Sequence, residues 1–374
     1  MGNKMILSKF RDRVESISSE LDFNSDEYSR FKEWERVAKI EDVYQINLLE
    51  LSESLNIDSQ RMLKSFITMA KNELLDISWE YHCPSCNGVA EVHNHLAEVS
   101  KSSSCKMCQV DFYNILDENI GVAFTPSEEF IKIPKKFLEG LEKMRKMAIN
   151  GSSDQKMEVV SMLKGKTFVS GLDCLHIEEF RDLFDDDNLP FDESLMIKNI
   201  SILFTDVKGS TALYNRVGDA TAYRLIREHF DILFKIIIDH GGIVIKTIGD
   251  AVMASFKTPR DSISAAIQIR RSLKEYDTKI ESEKEILVKM GLHKGSTIMV
   301  TLNKSLDYFG QTVNIAARIQ GEAKNNQIII SENMFKDQEV KSILKSSIKT
   351  LTRRRVKLRG IDNKRDIYIL NFKD

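Results

Sequence analysis

Two apolar runs, each ending in a single carboxylate, constrain this chain more than any other feature. Residues Ile243 to Phe256 read IVIKTIGDAVMASF: a β-branched run, a turn at Gly249, and a second run closing on an aromatic. That is the pattern of a β-hairpin. Its turn carries Asp250 and its first arm Lys246, two opposite charges that a sheet turn rarely needs together. Upstream, ISILFTDVKGST from Ile200 ends likewise in Asp206, followed by a small-residue turn at Gly209, Ser210 and Thr211. If the two strands are neighbours, the carboxylates converge at one sheet edge, the arrangement two divalent ions need to hold a phosphate chain.

The four clustered cysteines are the second constraint. Cys83 and Cys86 form one CxxC and Cys105 and Cys108 another, with eighteen residues between the pairs. Each CxxC knuckle offers two sulfurs to one side of a tetrahedral ion, so the spacing reads as a four-thiolate structural zinc ribbon; a pair of disulfides is the alternative in an oxidising compartment. The start, MGNKMILSKF, has no apolar signal core and places Ile6 where a myristoylation signal wants Ser or Thr. No apolar run approaches the roughly 18 residues of a spanning helix. The expectation is therefore a cytosolic protein that does not cross a membrane. His82, His93 and His95 lie near the cysteines and read as surface loop residues, and Cys174 and His176 as incidental.

With 374 residues the chain is long enough for two or three domains, and a net charge of -2 gives no global pull towards nucleic acid. Residues 1 to 40 carry Phe31, Trp34, Val37 and Ile40 at helical spacing and predict two helices. From Gln45 to Tyr81 the order is helix, LNID turn, a longer helix capped by Asp58, and a strand ISWEY, which resembles a winged-helix unit. Between Glu41 and Tyr81 eight acidic residues face three basic ones, a net of minus five. That balance argues against DNA reading and for packing or sensing. The ribbon spans about 82 to 134, with strands at Val89 to Val92, Val110 to Tyr113, IGVAFTP and EFIKIP; a helical connector follows over 135 to 197 and contains the acidic run Asp185 to Asp187.

From residue 198 strands and helices alternate. The helix ATAYRLIREHFDILFKIIIDH should bury Tyr223, Ile226, Phe230, Leu233 and Ile237, with His229 half-buried and His240 at its end. After the hairpin come a helix from Pro259, strands near Leu287 to His293 and Thr297 to Thr301, the segment LDYFGQTVNIAARIQGEA turning at Gly310 into a helix, the strand QIIIS, and a tail with VKLRG and DIYILNF.

FTDVKGST, KTIGDAVMASF and DYFGQTVNIAAR together resemble the class III nucleotide cyclase catalytic domain, the adenylyl/guanylyl cyclase family, over about Asn199 to Phe372. The resemblance implies an α+β, ferredoxin-like fold acting as a homodimer with two equivalent sites. It implies that Asp206 and Asp250 bind two Mg or Mn ions with the Val207 carbonyl, and that the amides of Lys208, Gly209, Ser210 and Thr211 meet phosphate oxygens. Lys246 and Asp307 match the pair that selects adenine, Asn314 the ribose-orienting residue, and Arg318 the residue that stabilises the transition state. Arg359, with Lys357 nearby, stands where the family often places a triphosphate-binding lysine. The implied substrate is ATP; guanylyl cyclase activity, a silent nucleotide sensor, and a zinc-dependent DNA-binding regulator are the alternatives. The N-terminal half resembles a regulatory module found ahead of certain bacterial cyclase domains, with a CPxC cysteine pair and a joining segment like FRDLF; its ligand is not implied.

Overall fold

Helix α1 (Gly2–Ser16) is followed by α2 (Ser25–Val37), whose start is fixed by a capping box: the Asn24 side chain accepts the Asp26 and Glu27 amides, and the Glu27 carboxylate accepts the Asn24 amide. The computed structural model describes residues 2–152, 154–155, 167–183, 189, 193–279, 285–302 and 305–372. They divide into two units, one of Met1–Leu195 with Asn303–Ser305, the other of Met196–Leu302 and Leu306–Asp374. The acidic run 185–187 and much of the predicted connector lie outside the described residues.

In the first unit α3 (Ile40–Val43) starts a new helix, so the apolar stripe breaks phase there: Phe31 and Ile40 are buried, while Val37 at the end of α2 is 72% exposed. Helix α4 (Leu48–Leu55) ends on Asn56 in the left-handed region, and Asp58 caps α5 (Ser59–Lys71) by accepting the Gln60 and Arg61 amides. Strands β1 (Leu75–His82), β2 (Val89–His93), β3 (Ser102–Cys105), β4 (Val110–Tyr113) and β5 (Ile120–Pro126) follow. Strand β1 is central in the order β2-β1-β5, and β3 and β4 form a two-stranded sheet. One sheet therefore joins the helical and ribbon segments. EFIKIP is not a strand: a turn at Ser127–Ile131 carries Ile131 into a small core with Ile40 and Val43, and this burial, not a sheet partner, explains its apolar spacing. Helix α6 (Lys135–Asn150) and the short α7 (Gly171–Leu175) and α8 (Glu178–Asp182) complete the unit, with Phe180 edge-on to Trp79 at 5.9 Å.

The second unit runs β6 (Leu195–Val207), α9 (Ser210–Val217), α10 (Asp219–Asp239), β7 (Gly242–Ile248), β8 (Ala251–Phe256), α11 (Pro259–Asp277), β9 (Val288–Leu302), β10 (Ser305–Phe309), α12 (Gln311–Gly321), β11 (Ile328–Ser331), α13 (Glu332–Lys336), α14 (Gln338–Ser347), β12 (Ile348–Val356) and β13 (Arg365–Phe372). The sheet order is β12-β13-β11-β9-β6-β8-β7, with β10 on β9. The two strands expected over 287–301 are one, because β9 runs straight through Gly295. On α10 the buried residues are Ala222, Leu225, Ile226, His229, Leu233, Ile236 and Ile237, as expected for Ile226, Leu233 and Ile237, while Tyr223 falls beside them and is 63% exposed. His229 is in the core, not half-buried: neither ring nitrogen has a partner among the described residues, and burial pulls its pKa down to about 4.

Candidate active site and cysteine centre

The hairpin closes as its residues predict. Strands β7 and β8 pair antiparallel from Gly242↔Phe256 to Ile248↔Ala251, with a register irregularity between Val244 and Lys246. Strand β8 pairs on its other edge with β6, Thr205 opposite Val252. Asp206 follows Thr205 and Asp250 lies two residues before Val252, so the carboxylates stand at the same end of neighbouring strands. Their surroundings differ. The Oδ2 atom of Asp250 is buried without a hydrogen-bond partner among the described residues. On Asp206, Oδ2 accepts from Lys289 Nζ of β9 and, at 3.3 Å, from Gln320 Nε2 of α12. A buried carboxylate oxygen with no donor suits a hard cation, and two carboxylates at one strand edge are an oxygen donor set of the kind Mg and Mn take.

Gly209, at φ +68°, turns the chain into α9, and the side chains of Lys208 to Thr211 lie at least partly open. The Lys208 amide is already used: it donates to the Leu287 carbonyl at 2.7 Å. That amide is therefore not open to a phosphate oxygen, contrary to the expectation for Lys208, while Gly209, Ser210 and Thr211 stand at the start of α9.

Lys246 and Asp307, 61 residues apart in sequence, form an ion pair. Asp307 is buried, its Oδ1 accepts the Tyr308 amide at 2.8 Å, and the Lys246 ammonium lies 5.8 Å from the centre of the Phe309 ring. On α12, Thr312, Ile315, Ala316 and Ile319 face inward, which leaves Asn314 and Arg318 exposed one turn apart on the outer face. Leu358 and Ile361 pack into the same small core as Ile315 and Ile319, so the loop carrying the exposed Lys357 and Arg359 is anchored beside α12.

Among residues the sequence reading passed over, Lys289, Gln320 and Phe309 touch the site. Lys289 had one visible signal, a lone charge inside the apolar run from Ile286 to Leu292. Gln320 had none, because its placement depends on β9: a Cβ at Gly291 would lie 2.3 Å from the Gln320 nitrogen.

In the first unit the Sγ atoms of Cys83, Cys86, Cys105 and Cys108 all lie within 4.8 Å of one another, and all five cysteines are free thiols. The two knuckles share one geometry. Asn87 and Gln109, each just after the second cysteine, take positive φ, and their amides donate to the carbonyls of Cys83 and Cys105 at 2.7 Å. Cys86 and Cys105 sulfurs are 3.8 Å apart, which matches the roughly 3.8 Å edge of a tetrahedron with metal–sulfur arms of about 2.3 Å. Burial pushes the Cys86 and Cys105 thiols up; at Cys83 it is outweighed by the Cys86 and Ser85 amides, and the thiol is held low. No histidine joins the cluster among the described residues. His82 is buried on β1 and stacks on Phe168 at 3.9 Å, a core role in place of the expected surface one.

The sheet places the two strand-end aspartates at one end of neighbouring strands, and α12 leaves Asn314 and Arg318 exposed one turn apart. Residues 193–372 match the family described as the adenylate and guanylate cyclase catalytic domain, and this segment is a class III cyclase catalytic domain. Residues 28–147 match a family of unknown function, DUF5939. The chain is 31% identical over 166 residues to an adenylate cyclase of Lachancea kluyveri and 32% identical over 161 residues to one of Mycosarcoma maydis. Those matches cover 39% and 38% of this chain but 9% and 6% of the relatives, so the chain spans less than a tenth of their length. Similar solved structures include the adenylyl cyclase CyaB of P. aeruginosa, 21% identical over 49% of this chain and 97% of that one (TM-score 0.41). They also include adenylate cyclases of Trypanosoma brucei, one 20% identical over 46% of this chain and 89% of that one (TM-score 0.39). No helix among the described residues is long and apolar enough to cross a membrane.

Proposed function

We propose that this protein is an adenylyl cyclase that converts ATP to 3',5'-cyclic AMP and pyrophosphate as a homodimer with two sites. The Lys246–Asp307 pair carries the choice of ATP. An ammonium donates to N1 of adenine and a carboxylate accepts from its exocyclic amine, whereas guanine offers the reverse pattern at both positions. The two side chains pair with each other, and adenine's edge would replace that contact with one hydrogen bond to each.

Asp206, Asp250 and the Val207 carbonyl would hold two Mg or Mn ions. Bound there, the ions neutralise the triphosphate and lower the pKa of the ribose 3'-hydroxyl for in-line attack on the α-phosphate. The Gly209 to Thr211 amides receive phosphate oxygens at the start of α9, with Arg359 or Lys357 closing on the β- and γ-phosphates. Asn314 orients the ribose, and Arg318, one turn along α12, meets the charge that grows on the α-phosphate. One protomer supplies the aspartates and its partner Lys246, Asp307, Asn314 and Arg318. The four thiolates leave no open position on a zinc ion, so that metal is structural, and the N-terminal unit regulates the cyclase.

Purified protein with Mg or Mn and each of the four nucleoside triphosphates should yield mainly cyclic AMP. Predominant cyclic GMP, or no cyclic product from a dimeric protein, would contradict this function.

A further inference from the structure

The two strand-end aspartates have different surroundings. Asp250 keeps a buried oxygen without a donor among the described residues, while the matching oxygen of Asp206 is held by the Lys289 ammonium and the Gln320 amide. Lys289 is no loose surface chain: its side chain is 20% exposed and that of Asp206 29%. Lys289 sits on β9, next to β6 in the sheet, so strand pairing delivers it to the carboxylate. Gln320 is held equally firmly. A Cβ at Gly291, two residues along the same strand, would lie 2.3 Å from the Gln320 nitrogen and 2.5 Å from its Cα, so β9 and α12 are in backbone contact beside the carboxylate.

We propose that Lys289 is an internal counter-ion that masks Asp206 and competes with divalent metal for it, and so sets the metal concentration at which the site loads. This rests on the reading of Asp206 and Asp250 as the metal carboxylates. An ammonium and a divalent ion on one carboxylate repel each other, so the metal must displace Lys289 from Asp206. The buried Oδ2 of Asp250 has no hydrogen-bond partner among the described residues, so the first ion enters through it. Lys289 is a positioning residue: it acts on when the carboxylate is free, not on the nucleotide.

The test is titration of the chelator-treated 374-residue chain with Mn alone, following free Mn by its electron paramagnetic resonance signal. Lys289→Met keeps the aliphatic stem and removes the charge; it should bind Mn about tenfold more tightly, the scale of a partly exposed ion pair. Lys289→Gln is a second neutral variant and should show the same direction, while Lys289→Arg keeps the charge and should stay close to wild type. Adding Asp206→Asn to Lys289→Met should abolish the gain. Unchanged or weaker Mn binding in both neutral variants, with Asp206→Asn alone still impaired, overturns the masking role and leaves the metal site standing. If Asp206→Asn binds Mn as wild type does, the metal assignment fails and the masking role with it.

Discussion

At the scale of single residues, the Lys246–Asp307 pair, proposed to read the base, is the sharpest feature. Lys246→Glu combined with Asp307→Ser reverses the donor and acceptor pattern offered to the purine. Cyclic AMP synthesis should fall by about a hundredfold or more, with cyclic GMP synthesis rising in relative terms, measured as kcat/KM for ATP and GTP. An ATP preference unchanged in the double variant would show that other groups read the base. His229 and His293 make a second prediction, about stability. Burial holds both near pKa 4, for His293 with help from the Arg365 charge, against 6.5 when exposed. The unfolded chain takes up these protons first as pH falls. Stability is therefore complete above pH 6.5 and is lost between there and pH 4, by about 3 kcal/mol for each histidine at the lower limit. Glu35 and Asp277, raised by burial to about 8 and about 6, titrate in the opposite sense, so the histidine contribution is read as a difference: His229→Leu should remove part of the loss in denaturant midpoint between pH 7 and 5. A pH dependence identical in wild type and His229→Leu would contradict the burial of His229.

At the scale of elements, the β7–β8 hairpin and the two cysteine knuckles were the most legible parts of the chain. Both are encoded by neighbours in sequence: β-branched runs around Gly249, and CxxC turns that need a residue at positive φ just after them. Less local features were not legible. Apolar spacing marked Val37, Tyr223 and EFIKIP as core or strand, but a helix end, the phase of a stripe and a tertiary pocket decided each of them. The Lys289–Asp206 pair depends on which strand lies beside which, and periodicity does not specify that. The cysteine centre carries its own prediction. A zinc chelator strong enough to strip four thiolates should expose all four to thiol reagents, melt the β3–β4 hairpin, which pairs with no other strand among the described residues, and change the cyclase rate. A stripped ribbon with an unchanged rate would separate the N-terminal unit from regulation.

At the scale of the whole molecule, the hairpin takes on a second meaning. Within one chain Asp250 and Lys246 lie four residues apart, yet the proposed dimer sends them to different sites: the turn holds metal in one, and the first arm reads adenine in the other. The most direct measurement of that claim is subunit complementation. Asp250→Asn and Arg318→Ala proteins, each purified alone, should make almost no cyclic AMP. Mixed in equal amounts and allowed to exchange subunits, they should regain about a quarter of the wild-type rate, since half the dimers are mixed and each has one intact site of two. A mixture as inactive as its components, although exchange is shown to occur, would mean that the aspartates and the arginine serve the same protomer's site, and the two-protomer cyclase proposed here would be wrong.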